Sequence, residues 1–226
     1  MRHSTLERLA ATASVPVVNA LSDVEHPCQA VADLLTIQQH SKRGVARLKI
    51  AYIGDANNCA LSLGLGAVAL GARFVCASPE GYGFSESDAA KLRARAANAN
   101  EEARENPKAR RESLRREATS HVQLTQSPAE AATEADVLYT DVWTSMGQEA
   151  ESAQRRAAFQ GYQIDERLVS LANAGALLMH PMPVHYGEEM APGMLEHPQS
   201  AAFQQAGNRL HAQKAILRLL VGGAGA

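Results

Sequence analysis

The chain has 226 residues, 46% of them hydrophobic, with 22 Lys and Arg against 24 Asp and Glu and a formal net charge of −2. That balance gives no broad basic field for a nucleic-acid backbone, and no apolar run approaches the roughly 20 residues of a membrane helix. The length suffices for one large or two small domains of roughly 100–150 residues each. Three cysteines, Cys28, Cys59 and Cys76, without a CxxC pair argue against a disulfide framework or a zinc site and fit a reducing cytoplasm. The opening Met-Arg-His-Ser-Thr-Leu-Glu carries neither the apolar core of a signal peptide nor the Arg/Ser-rich pattern of a transit peptide.

Short β-rich runs alternate with longer helical patterns, which predicts an α/β fold with a parallel sheet covered by helices. Val15–Asn19 reads as a short strand, and Gln29–His40 as a helix on the spacing of Ala30, Val31, Leu34, Leu35 and Gln38. After Gly44, the apolar run Leu48–Ile53 ends in Gly54-Asp55, a strand-to-helix turn, followed by a helix Asn58–Leu70 and a strand Arg73–Ala77. Asn98–Ser120 interleaves acidic and basic residues, the mark of a solvated helix with i,i+4 pairs, and Pro107 breaks it in two. His121–Thr125, Val137–Trp143 and Ala176–His180 read as further strands, Ala201–Phe203 as a short last one, and Asn208–Val221 as the closing helix.

The chemistry concentrates in loops after strands, where helix N-termini offer unpaired N–H groups. His26-Pro27-Cys28-Gln29 precedes a helix, and a neutral imidazole and an amide can both hydrogen-bond a carbonyl or carbamoyl group without adding charge. Taken alone, the tetrapeptide also fits a helix-capping His with a solvent-facing Gln. Gly54-Asp55-Ala56-Asn57-Asn58 alone fits a plain N-cap and turn. In Asp141-Val-Trp-Thr-Ser145-Met146-Gly147 a carboxylate suits an ammonium group and a Ser hydroxyl a carboxylate, while Asp141 could otherwise cap the next helix. Trp143 reads as packing, His180 also fits a buried strand histidine, and His3 and His40 read as surface residues. No His/Asp/Glu cluster suggests a metal site, and no GxxxxGKS/T phosphate loop is present.

In this order, the His26–Gln29 element, the Asp141–Gly147 element and Asn208-Arg209-Leu210-His211 resemble the ornithine carbamoyltransferases of the aspartate/ornithine carbamoyltransferase superfamily, over nearly the whole chain. The resemblance implies an ornithine-binding domain at 44–207 with a charged insertion near 98–120. Residues 1–43 and the closing helix, 208–226, would be a remnant of the carbamoyl-phosphate domain. It implies that His26 and Gln29, with Pro27 and Cys28, hold carbamoyl phosphate, as do the carbonyls of Pro181 and Met182, and that Arg209 contacts the carbamoyl carbonyl. Asn58, Asp141, Ser145 and Met146 would bind ornithine, with His26, Asp141 and Arg209 the catalytic residues. No cofactor and no metal are implied. A cytoplasmic homotrimer with active sites at subunit interfaces, working in arginine biosynthesis, is.

Three departures qualify that expectation. His180-Pro181-Met182-Pro183 replaces the usual His-Cys-Leu-Pro, so the loop thiol is absent, although proline keeps its carbonyl. Tyr186 stands where His-Arg-Gly-Glu-Glu has arginine, and the phosphate-gripping Ser-x-Arg-Thr-Arg segment does not occur in the 226 residues. The expectation is therefore an N-terminally truncated ornithine carbamoyltransferase. The alternatives are a non-catalytic amino-acid-binding or subunit-association paralogue, or a carbamoyltransferase with a different amine acceptor.

Overall fold

The computed structural model describes residues 1–105, 121–145 and 147–222. Its five strands are β1 (Lys49–Ile53), β2 (Arg73–Ala77), β3 (His121–Thr125), β4 (Val137–Tyr139) and β5 (Leu177–Met179). They pair in parallel throughout, in the order β3-β2-β1-β4-β5. The helices among the described residues are α1 (His3–Thr12), α2 (Pro27–His40), α3 (Asn58–Ala69), α4 (Glu86–Glu105), α5 (Pro128–Ala132), α6 (Ser152–Ala158), α7 (Glu166–Leu171) and α8 (Ala202–Val221).

Both faces of the sheet are covered at β2, β1, β4 and β5, which is why those strands are apolar almost throughout, while the edge strand β3 is only partly buried. Period-two alternation sends Ile53, Val75 and Leu138 to one face, packed with Phe159, Ile164 and Leu168. Tyr52, Phe74 and Tyr139 go to the other, against Ile37, Leu63 and Val68. Helix starts follow their capping residues. Pro27 opens α2, where a missing N–H costs nothing. At α3 the cap is Asn57, whose Oδ1 accepts the N–H of Cys59 at 3.0 Å and of Ala60 at 3.1 Å. Ser127 and Asp165 cap α5 and α7 in the same way.

The strand order places the site. From β1 the chain runs outward through β2 to β3, then returns to the other side of β1 for β4 and β5. The reversal leaves a crevice beyond the carboxyl ends of β1 and β4, where an open parallel sheet binds its ligands. The segments that follow these strands are Gly54–Asn58 and Thr140–Ser145.

Several boundaries differ from the sequence reading. Residues 15–19 form no strand: Pro16 lacks an N–H, and no sheet strand among the described residues lies beside them. Residues 201–203 are not a strand either. Ala201 N donates to Leu178 O at 2.9 Å and Ser200 bridges Leu178, but α8 begins at Ala202, so one rung is all that forms. The β4 strand stops at Tyr139 rather than Trp143, because Asp141 turns away to meet α3. Asn98–Glu105 is the end of α4, which starts at Glu86, and residues 106–120, with Pro107, lie outside the described residues.

A buried polar seam joins α2 to the sheet and to α8. Asp33 is fully enclosed, and its Oδ1 accepts Gln29 Nε2 at 2.8 Å and Gln205 Nε2 at 2.7 Å, while Oδ2 accepts the Tyr139 hydroxyl at 2.9 Å. Gln205 Oε1 in turn accepts the backbone N–H of His180 at 2.9 Å. Further along, Asn208 Nδ2 donates to Thr36 Oγ1 and Gln39 Oε1, both at 2.8 Å. Burial pushes the Asp33 carboxyl up to about 7, against the hydrogen bonds from Gln29, Gln205 and Tyr139 that favour its ionised form.

Because the folded carboxyl of Asp33 holds its proton to higher pH than the unfolded one, its contribution to stability is full below the ordinary 3.8 and is lost as pH rises through about 7. The melting temperature of the native chain minus that of Asp33→Asn therefore falls between pH 5 and pH 8; a constant difference contradicts this account. Asn57→Ala removes the α3 cap and lowers stability by about 1 kcal/mol. It is read as a lower urea midpoint at unchanged slope, and an unmoved midpoint would show that the cap contributes nothing.

Candidate functional site

A cleft of about 1350 Å³ opens over the switch point, with walls drawn from α2, the two strand-end loops, the loop after β5 and α8. Of the residues singled out in the sequence, His26, Gln29, Asn58, Asp141, Ser145, Pro181, Met182 and Arg209 all line it. They come from positions up to 183 residues apart, and the sheet is what collects them. Pro27 and Cys28 do not line it: Pro27 opens α2, and the buried Cys28 thiol donates to Asn19 O at 3.5 Å. Met146 lies outside the described residues.

On one side, His26 is the N-cap residue of α2, and its backbone N–H donates to Ser62 Oγ at 2.8 Å. Burial, and then the positive charge of Arg209, hold its ring below the ordinary 6.5, so it is a neutral imidazole near pH 7. Its Nδ1 is buried without a hydrogen-bond partner. Arg209 makes no ion pair among the described residues, in contrast to the other two guanidinium groups of the cleft. Arg155 is committed to Asp55 at 2.9 Å and Glu151 at 3.1 Å, and Arg156 to Glu188 at 3.0 Å.

Across the cleft, the Asp141 carboxylate is nearly enclosed and fixed at both oxygens. Oδ2 accepts Asn57 Nδ2 at 2.8 Å, and Oδ1 accepts the N–H of Val142, also at 2.8 Å. Asn57 thus caps α3 with one end of its amide and orients Asp141 with the other. Asn58 Nδ2 donates to Ser22 O at 2.7 Å, tying the start of α3 to the loop before α2. Trp143 packs as expected, its ring stacked on Phe159 with centroids 5.5 Å apart. Its carbonyl accepts Arg155 Nη1 at 2.9 Å, and the same guanidinium lies 5.0 Å from the Tyr82 ring centre.

The loop after β5 is held by a buried pair. His180 Nδ1 accepts the N–H of Met182 at 2.9 Å, so Nε2 carries the proton and donates to Glu189 Oε1 at 3.2 Å. Met182 adopts a left-handed φ of 61°, which this clamp supports. His180 is thus the buried, satisfied histidine that the sequence allowed. His185, Glu188 and Glu189 bring ligand atoms within 4.8 Å of one another at the rim. Glu188 already accepts from Arg156, and Glu189 from His180 and the His185 N–H.

The sequence did not give the Asn57–Asp141 bond, Arg155, Glu189 or the Asp33–Gln205 seam. The cap at Gly54–Asn58 was legible, since an Asn directly before an apolar helical run is an N-cap, but the bond from Asn57 to Asp141 spans 84 residues. Arg155 reaches Asp55 across 100 residues and Gln205 reaches Asp33 across 172, and no local pattern encodes such pairs; Glu189 meets His180 only nine residues away, inside the loop that both hold. His3 and His40 bond at the periphery, His3 to Ser22 and Asp23 and His40 to Gln204.

The family model described as "Aspartate/ornithine carbamoyltransferase, Asp/Orn binding domain" matches residues 46–220, and the one described as "Aspartate/ornithine carbamoyltransferase, carbamoyl-P binding domain" matches residues 1–39. Among curated relatives, the ornithine carbamoyltransferase of Acidothermus cellulolyticus is 46% identical over 99% of this chain and 65% of its own length. That of Thermococcus kodakarensis is 43% identical over 98% of this chain and 64% of its own length. The chain therefore spans less than two thirds of these relatives. Among solved structures, the ornithine carbamoyltransferase from Pyrococcus furiosus superposes with a TM-score of 0.85 at 41% identity, covering 98% of this chain and 64% of that one. The enzyme from Gloeobacter violaceus gives 0.82 at 40% identity, covering 97% and 67%. With both family models matched in order and the sheet shared with solved relatives, the chain belongs to the aspartate/ornithine carbamoyltransferase family.

Proposed function

We propose that the cleft serves the transfer of a carbamoyl group from carbamoyl phosphate to the side-chain amine of L-ornithine, giving L-citrulline and phosphate. The observation that carries this reading is the enclosed Asp141 carboxylate, fixed by Asn57 and Val142 in the same cleft as His26, Gln29 and Arg209. A fixed carboxylate recognises an ammonium side chain and repels a carboxylate one, so the ornithine branch of the family fits and the aspartate branch does not. Ser145 and Asn58, which line the same cleft, would hold the α-amino-acid end of ornithine.

In the reaction the side-chain ammonium of ornithine loses one proton to solvent, and the lone pair so freed attacks the carbamoyl carbon. A tetrahedral oxyanion forms, the C–O bond to phosphate breaks with its electron pair leaving on phosphate, and the departing phosphate takes the second proton from the new C–N nitrogen. Asp141 orients the amine. Arg209, which makes no ion pair among the described residues, meets the developing negative charge, and neutral His26 hydrogen-bonds the carbamoyl group without adding charge. Gln29, Pro181 and Met182 hold the carbamoyl amine. Neither a covalent enzyme intermediate nor a cofactor is required, since catalysis comes from orienting two substrates.

On the same reading, residues 1–43 and 208–226 contribute the carbamoyl-phosphate side and 44–207 the ornithine side. A cytoplasmic homotrimer acting in arginine biosynthesis is its natural setting; one relative, from Pyrococcus furiosus, is named as anabolic. A different amine acceptor is the second reading, favoured by Pro181 in place of the loop thiol.

Purified chain supplied with carbamoyl phosphate and L-ornithine forms citrulline, and Asp141→Asn lowers kcat/KM for ornithine by about 100-fold or more, with its melting temperature within a few degrees of native. Product from another diamine or amino acid, but not from ornithine, would establish the second reading. Absence of any carbamoylated product would count against transferase activity in this chain.

A further inference from the structure

Asp33 is wholly buried and does not line the cleft, yet it holds a residue that does. An amide side chain has a donor end and an acceptor end, and the end that faces a ligand decides whether the ligand must accept or donate. Gln205 is fixed at both ends: Nε2 donates to Asp33 Oδ1 at 2.7 Å, and Oε1 accepts the N–H of His180 at 2.9 Å. Gln29 is fixed at one end only. Its Nε2 donates to the same Oδ1 at 2.8 Å, while its Oε1 is buried with no partner in the chain. A buried carbonyl oxygen left unpaired costs about 1–3 kcal/mol, so this atom favours a ligand that brings an N–H to it.

We propose that Asp33 is a specificity-determining positioning residue: by holding Gln29 Nε2 it reserves Gln29 Oε1 for the N–H of a carbamoyl group, and so selects carbamoyl phosphate over acyl phosphates that carry a methyl there. The proposal rests on the carbamoyl-phosphate reading of the cleft. With the amide turned over, an NH2 would face the ligand and favour an acceptor, removing the distinction. The second oxygen of Asp33 is occupied by the Tyr139 hydroxyl at 2.9 Å, so the carboxylate cannot swing away from Gln29 without breaking a bond to the sheet. Through Gln205 the same carboxylate also fixes the N–H of His180, at the entrance to the Pro181–Met182 loop that lines the cleft beside Gln29.

The test uses the whole 15N-labelled chain at pH 8. Hydrogen exchange at the Gln29 side-chain amide is at least about tenfold slower than at exposed Gln38, as one buried bond would give. Asp33→Asn, which keeps an acceptor oxygen, retains the protection, and Asp33→Ala loses it. Calorimetric titration with carbamoyl phosphate and acetyl phosphate is the second arm. The native chain and Asp33→Asn prefer carbamoyl phosphate by about tenfold or more, and Asp33→Ala binds the two within about threefold of each other. An unprotected Gln29 amide in the native chain, or a preference that survives in a folded Asp33→Ala, overturns the proposal. If Asp33→Ala does not fold, the native exchange rate and the Asp33→Asn preference decide. If the amide is protected but neither phosphate binds, the carbamoyl-phosphate reading fails and the selective role falls with it, while the fixed amide stands.

Discussion

One carboxylate, Asp33, receives hydrogen bonds from its own helix, from β4 and from α8, and the cleft depends on that meeting. An ionised group in an apolar interior is costly unless it is compensated, and burial here raises the Asp33 carboxyl to about 7 despite three donors. The cost is offset by geometry. Gln29, Tyr139 and Gln205 each have one permitted orientation around this group, which fixes how α2 and α8 sit on the sheet. His26 stands at the start of α2 and Arg209 follows Asn208 on α8, so the same seam sets the positions of two polar groups that converge on the cleft.

The opposite wall is built on a second compensated charge. Arg155 is buried, and Asp55, Glu151 and the Trp143 carbonyl share its donors while the Tyr82 ring covers it. Removing one partner from a buried ion pair leaves an uncompensated charge, at a typical cost of about 3–5 kcal/mol. Arg155 therefore ties the turn after β1 to the segment after β4, and those are the two segments that present Asn57, Asn58, Asp141 and Ser145. The strand order explains why they are neighbours: β1 and β4 are adjacent although 83 residues of chain separate Ile53 from Asp136, the residue before β4. Asn57 joins the two segments directly, at the cap of α3 and at Asp141.

Much of this was legible in the residues, and what was not has a physical reason. Arg73–Ala77 is a strand to the residue because an apolar run between breakers in an α/β pattern has few other uses, and His121–Thr125 is one on its alternation of Val122 and Leu124 with polar residues. Val15–Asn19 has the composition of a strand but no strand beside it, and pairing, unlike composition, is not local. Ala201–Phe203 lost to the helix that begins inside it. The lining residues His26, Gln29, Asn58, Asp141, Ser145 and Arg209 were found because each sits in a motif of fixed spacing. Asp33, Gln205 and Arg155 were not found, because each acts through a partner far away in the chain and looks locally like an ordinary helix residue.

The most direct test of the account is calorimetric titration of the purified chain with L-ornithine and with L-aspartate. A fixed Asp141 carboxylate predicts saturable binding of ornithine, weakened at least about tenfold in Asp141→Asn, and no detectable heat with aspartate. Binding of aspartate in preference to ornithine, or ornithine binding that is indifferent to Asp141→Asn, would contradict it.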